Sequence, residues 1–230
     1  MHIYQPQQSQ VCTLPPQPRG ASVSPVAGPG ATTDDRLSRL AAEAVKRQRY
    51  TQALQLMGQL IERHPQRAMY YSNRGLVYLY LDQPRAALAD CDRAVDLGPN
   101  LDQAYNNRAL CHAALGHITA ALDDYERAVD INPFNSCARI NLGATLRQLG
   151  DLDGALDCFD EALMFYQLPE FIYAERGRTY HLRGDWNCAL ADYRRSLAAA
   201  AAQPPSPQIQ ALIHRVNGYI HELMPQPSCA

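Results

Sequence analysis

From Asp34 onward, apolar side chains return at spacings of three and four, and the whole arrangement recurs every 34 residues. Leu40, Ala44, Val77, Tyr78, Leu81, Leu110 and Leu115 belong to these stripes. Residues so spaced share one face of a 3.6-residue helix, so the stripes predict amphipathic helices. Five blocks follow one another without insertion or deletion: 34–67, 68–101, 102–135, 136–169 and 170–203. The dipeptide Ala-Leu falls in the same column of each, as Ala53-Leu54, Ala87-Leu88, Ala121-Leu122, Ala155-Leu156 and Ala189-Leu190. Block position 8 is Ala41, Gly75, Ala109, Gly143 or Gly177, and position 27 is Leu60, Ala94, Ala128, Ala162 or Ser196. These mostly small residues let two backbones approach closely. A second helix completes each block, and Gly116, Gly150 or Gly184 stands between the two, where a helix C-terminus favours tolerance of positive φ. Pro65, Pro99 and Pro133 close the first three blocks and stop their second helices. A unit this short cannot bury its apolar face alone and must stack on copies of itself. The expected fold is therefore an all-α solenoid of five helix-turn-helix repeats.

The flanks depart from this rhythm. Residues 1–33 set Pro6, Pro15, Pro16, Pro18, Pro25 and Pro29 among Gln, Ser and Gly, a composition too poor in apolar groups to offset ordering entropy, and are expected to be a disordered tail. After block five, Ala198 to Ala202 prolong the last helix until Pro204 and Pro205 stop it. A final helix is expected over 207–224, with Pro207 in its first turn and one stripe made of Ile209, Leu212, Ile213, Val216, Ile220 and Leu223. Its expected role is to cap the open end of the stack.

Charge and composition narrow the function. A formal net charge of −2 and an isoelectric point near 6.4 provide no electrostatic footprint for nucleic acid or an anionic membrane. No apolar run approaches the roughly 18 residues of a spanning helix. The start, MHIYQPQQSQ, has neither the basic region nor the apolar core of a secretory signal, so a cytoplasmic setting is expected. The seven cysteines form no CxxC; Cys91, Cys111, Cys137, Cys158 and Cys188 occupy different block columns and read as thiols of a reducing compartment. The histidines show no ligand spacing, and His221-Glu222 lacks the second histidine of a metalloprotease helix. Neither a phosphate-binding glycine loop nor a GxSxG nucleophile elbow occurs. No enzyme, metal site or cofactor is expected.

One pattern carries specific electrostatics. Position 7 is Arg74, Arg108 and Arg176 in blocks two, three and five, and position 23 of the same blocks is Asp90, Asp124 and Asp192. In blocks one and four both change together, to Leu40 with Leu56 and to Leu142 with Cys158. Charges that enter and leave as pairs predict a forked arginine–carboxylate bridge between the two helices of one hairpin.

These columns resemble the tetratricopeptide repeat family over about 170 residues: small at 8, aromatic at 11 (Tyr78, Tyr180), Ala at 20, aromatic at 24 (Tyr125, Phe159, Tyr193), small at 27 and Pro at 32. Tyr71, Tyr105 and Tyr173 stand where the family often has Trp, and Arg139 breaks that column in block four. The opening Asn73-Arg74-Gly75, echoed as Asn107-Arg108-Ala109, is similar to a variant frequent in bacterial repeat proteins. The resemblance implies a right-handed alpha-alpha superhelix whose first helices line a concave groove, and a non-catalytic adaptor or assembly factor that holds an extended peptide there. Position 6, a groove position in the family, is Asn73, Asn107 and Asn141 in successive blocks, a candidate ladder of amides that pair with peptide backbone. Met69, Leu76, Leu79, Tyr80, Leu110, Ile140 and Phe171 would surround it, with Arg147, Arg178 and His181 positioned for an acidic end. The family's clamp for chaperone C-terminal carboxylates is not expected, because its columns hold Ser72, Leu76, Asn107, Cys137 and Asn141 and only Asn107 fits. The expected partner is a protein or extended peptide, with no nucleic acid and no direct membrane insertion. Two alternatives stay open: a structural protein that associates with itself as a homo-oligomer, and a groove autoinhibited by the tail 1–33.

Overall fold

The computed structural model describes residues 33–165 and 167–223. Eleven α-helices and no strands occur among the described residues: α1 (Thr33–Lys46), α2 (Tyr50–Arg63), α3 (Ala68–Tyr80), α4 (Pro84–Leu97), α5 (Asp102–Ala114), α6 (Ile118–Ile131), α7 (Ser136–Leu149), α8 (Leu152–Leu163), α9 (Pro169–Arg183), α10 (Trp186–Ala201) and α11 (Pro207–Leu223). Thr33, placed in the tail by sequence, opens α1, and the rest of that tail lies outside the described residues.

The alanine columns show why the blocks share one length. Ala53, Ala87, Ala121, Ala155 and Ala189 are all completely buried, as are Ala94, Ala128, Ala162 and Ser196 at position 27. At position 20, where every block has Ala, the second helix meets the backbone of the first, whereas position 27 also takes the larger Leu60. The opposing first helix answers with its small column: a Cβ on Gly177 would lie 2.8 Å from the Tyr193 ring, and one on Gly143 2.9 Å from Phe159. Each of these rings of the second helix thus rests on a bare stretch of backbone.

All five turns inside the hairpins use one left-handed residue. In the last three it is Gly116, Gly150 and Gly184, with φ of 81°, 91° and 89°. In the first two the same column holds Gln48 and Asp82, with φ of 58° and 56°. The left-handed turn therefore belongs to the hairpin and is imposed even where no glycine eases it.

The described helices fall into two compact units that divide after Asn132. In the first, hairpins α1/α2, α3/α4 and α5/α6 stack, with α2 on α3, α4 on α5, and α3 alongside α5. Ala41, Ala44, Val45, Ala53, Met57 and Val77 form one core cluster there, flanked by Tyr50 and Tyr80, whose rings stack at 5.2 Å. In the second unit, α7/α8 and α9/α10 pair, α8 packs on α9, and α11 packs on both α9 and α10. Helix α11 takes up the end of the stack as an unpaired helix. Its Ile209, Leu212 and Val216 are buried against Ala174, Ala189 and Tyr193, and burial of this kind contributes about 1.5–3 kcal/mol for each large side chain. Ser206 caps it, accepting from the Ile209 amide at 3.2 Å. Among the exposed residues of α11, Gln210, His214 and Asn217 are polar.

Candidate functional site

Three hairpins carry the same electrostatic clasp. Arg74 donates through Nε and Nη2 to the two carboxylate oxygens of Asp90 at 2.7 and 2.8 Å. Arg108 does so to Asp124 at 2.8 and 2.7 Å, and Arg176 to Asp192 at 2.7 and 3.0 Å. Each guanidinium also lies over the ring of the tyrosine three residues earlier: Arg74 on Tyr71, Arg108 on Tyr105 and Arg176 on Tyr173, at 5.5–5.8 Å. The carboxylate hydrogen bonds hold Arg74 and Arg108 in the charged form, above the ordinary guanidinium range. Arg108 and Arg176 have a further Nη1 bond to the second helix of the preceding hairpin, at Asp92 and Asp160. In α7 the clasp is replaced. Arg139 stands in the tyrosine column, pairs with Glu161 and lies over Phe165 at 5.9 Å.

The predicted groove residues separate into three groups. Leu76, Leu79, Leu110 and Ile140 are at most 5 % exposed. They are core, a correction to their placement on an open surface: first helices run side by side, α3 with α5 and α7 with α9, so the positions between them are covered. The amides of the ladder also differ from one another. Asn107, 2 % exposed, donates Nδ2 to the carbonyl and hydroxyl oxygens of Ser72 at 3.2 and 3.0 Å and accepts from Asn106 at 3.3 Å. It is a cross-strut between α5 and α3. Asn141 on α7 is buried as well. Asn73 is half-buried, and its Oδ1 is shielded from water without a hydrogen-bond partner among the described residues. Met69 and Tyr80, also half-buried, share α3 with it.

The second unit gathers the remaining residues, to a different end. Arg147 on α7 donates to the Glu175 carbonyl at 3.0 Å and to its carboxylate at 2.8 Å. Arg215 on α11 takes the other carboxylate oxygen at 2.9 Å. Glu175 is almost wholly buried; burial alone would raise its pKa, but Arg147 and Arg215 outweigh that and hold it below the ordinary carboxylate range. Arg178 is bound by Glu222 of α11 at 2.6 Å and covered by Tyr219 at 4.5 Å. Phe171 packs into the cluster beneath α11. His181 Nδ1 lies 3.2 Å from Arg178 and 3.3 Å from the Tyr193 hydroxyl, and burial together with Arg178 lowers its pKa. The acids that answer Arg147 and Arg178 are thus the chain's own Glu175 and Glu222. This corrects the expectation that the two arginines wait for a ligand.

Sequence reasoning missed the Asn106–Asn107–Ser72 chain and the two arginines on Glu175. The signal for the first was the polar column at position 5, Ser72 and Asn106. For the second it was Glu175 itself, an acid in the asparagine column.

Stacked hairpins with small-residue seams and a capping helix define an all-α helical-repeat protein. Tetratricopeptide repeat profiles match residues 39–102, 103–135 and 124–157, together more than half of the sequence, and the chain belongs to the tetratricopeptide repeat family. Among solved structures it is similar to TTC0263, a thermophilic TPR protein of Thermus thermophilus, at 22 % identity and a TM-score of 0.72 over 82 % of this chain and all of that one. It is also similar to MamA, at 17 % identity and a TM-score of 0.58 over 74 % and 95 % of the two chains. YrrB, described as a TPR protein with an unusual peptide-binding site, aligns at 19 % identity and 0.56 over 80 % and 90 %. These likenesses establish the fold. Hsc70-interacting proteins 1 and 2 of Drosophila melanogaster are 36 % identical over 61 residues, which is 26 % of this chain and only 16 % of theirs. Among the described residues, no helix is long and apolar enough to cross a membrane.

Proposed function

We propose that the protein is a non-catalytic interaction scaffold that holds an extended segment of another protein, and that in the first unit this segment lies along α3 over Met69, Asn73 and Tyr80. The observation that carries the reading is the shielded oxygen of Asn73, which has no hydrogen-bond donor among the described residues. An amide oxygen withdrawn from water without a donor costs about 1–3 kcal/mol, which an arriving backbone N–H would recover. Met69 and Tyr80 supply apolar surface on either side for alternate side chains of the bound strand. Asn107 and Asn141 are not rungs in this reading.

The relatives named for Hsc70 do not lead us to a chaperone clamp. The columns that would need basic residues hold Ser72 and Cys137, and Asn107 is already bonded to Ser72.

Selection of a random-peptide display library on the full chain, followed by fluorescence anisotropy on the winning sequences, tests the proposal. Asn73→Ala is expected to weaken binding roughly 10-fold, the worth of one well-placed hydrogen bond. A library that yields no binder, or binders indifferent to both Asn73→Ala and Met69→Lys, overturns it.

A further inference from the structure

Away from the first-helix faces, two thiols meet inside the first unit. Cys91 on α4 and Cys111 on α5 are each 0 % exposed, and their Sγ atoms lie 3.8 Å apart, with the Cys111 thiol donating to Cys91. They fill block positions 24 and 10, the pair of columns through which one hairpin's second helix meets the next hairpin's first. At the preceding junction the same columns hold Met57 and Val77, joined in one core cluster. The second-helix column carries an aromatic ring at Tyr125, Phe159 and Tyr193, so a thiol there is a marked reduction in size. Cys91 Sγ rests against bare Gly75, where a Cβ would come within 2.7 Å.

We propose that Cys91 and Cys111 form a redox-closable staple between the second and third hairpins, joined as a disulfide by exchange with a small-molecule disulfide. The Cys111 thiolate attacks one sulfur of the reagent, forming a mixed disulfide and expelling the first small thiolate. The Cys91 thiolate then attacks the Cys111 sulfur, the protein disulfide closes, and the second small thiolate leaves. The two protons lost by the cysteines end on the two released thiols, and the reagent is the species reduced. Closure needs the sulfurs to shorten from 3.8 Å to about 2.05 Å. The two thiols sit on α4 and α5, which are already packed on one another. Its rate is slow, because keeping its proton in the hydrogen bond shared with Cys111, together with burial, holds the Cys91 thiol well above its ordinary range, so reaction waits on local opening. The closed bond lies across two neighbouring hairpins already tied through α3 and α5 by Asn107 and Ser72.

The test uses the full chain with Cys12, Cys137, Cys158, Cys188 and Cys229 replaced by serine, incubated folded with oxidised glutathione. Intact mass is expected to fall by two hydrogens, and a digest without reductant is expected to yield one peptide pair joined through Cys91 and Cys111. Thermal unfolding should rise by roughly 5–10 °C and return on adding dithiothreitol, the size expected when a loop of this length is closed. The Cys91→Met/Cys111→Val variant, carrying the residues of the preceding junction, should fold and show no response. Glutathione adducts without the cross-link, a cross-link that forms only in urea, or an oxidised form that melts no higher than the reduced one would each overturn the staple.

Discussion

The first-helix faces of the two units begin from the same family columns and end in opposite conditions. On α3 a side-chain oxygen, Asn73 Oδ1, has no donor among the described residues. On α9 the charges in the groove columns are answered from within, Glu175 by Arg147 and Arg215 and Arg178 by Glu222. The difference traces to α11, which supplies both an arginine and a glutamate to the second unit's face and buries Phe171. A terminal helix thus does more than cover apolar side chains. It also decides which polar groups of the last repeat remain available.

The sharpest way to break that contrast is to unseat the ion cluster. Glu175→Ala leaves Arg147 and Arg215 buried without their carboxylate and is expected to cost about 3–5 kcal/mol in urea unfolding, with α11 the first element to lose amide-exchange protection. The pH dependence has a definite sign. A carboxyl held below its ordinary value of 4.5 contributes fully above that pH and loses the contribution as pH falls through its lower native value. The stability gap between wild type and Glu175→Gln should therefore narrow in acid.

Somewhat smaller is the effect of breaking one clasp in the first unit. Asp124→Ala alone is expected to destabilise by about 2–4 kcal/mol, whereas Arg108→Leu combined with Asp124→Leu should cost little more than the half-exposed Arg108–Asp92 contact it also removes, about 0–1 kcal/mol; the first hairpin already pairs Leu40 with Leu56. Equal losses for the single and double variants would reduce the clasp to a surface pair.

Glu170 makes a useful counterpoint to Glu175. It is buried on the same helix, its Oε2 has no partner among the described residues, and burial raises its pKa. A raised carboxyl pKa favours the fold below the ordinary value and loses that benefit as pH climbs through the native one. Glu170→Gln should hence stabilise the protein at pH 7 by about 1 kcal/mol, and the gain should vanish near pH 4. Calorimetry at the two pH values decides it.

The smallest stability effects separate the two amides. Asn107→Ala, which removes the strut to Ser72, is expected to cost about 1–2 kcal/mol, while Asn73→Ala, which removes an unsatisfied oxygen, should leave the fold no less stable and show its loss in peptide binding. Reversal of that order would mean that the two residues had been assigned each other's roles.

Much of this was legible before any coordinates. The Ala-Leu columns fix where paired helices touch, because only alanine fits where backbones converge, and the joint exchange of Arg108/Asp124 for Leu142/Cys158 announced the clasp. The faces were harder to read. Asn73 and Asn107 share a column, and the preceding blocks offer each a serine, Ser38 and Ser72, yet only Asn107 makes the bond. Which amide is consumed depends on how closely two first helices approach, a quantity one column cannot record. Nor does spacing reveal that Glu175 draws arginines from 28 residues before it and 40 after it in sequence.

Arg108 reaches backward as well as inward, with Asp92 of the preceding hairpin as its second anchor. An arginine held by two successive second helices makes neighbouring modules mutually dependent, so that removing the α3/α4 hairpin takes a foothold from α5. A substitution at exposed Asp92 should therefore be felt, by up to about 1 kcal/mol, in a helix that begins ten residues beyond it.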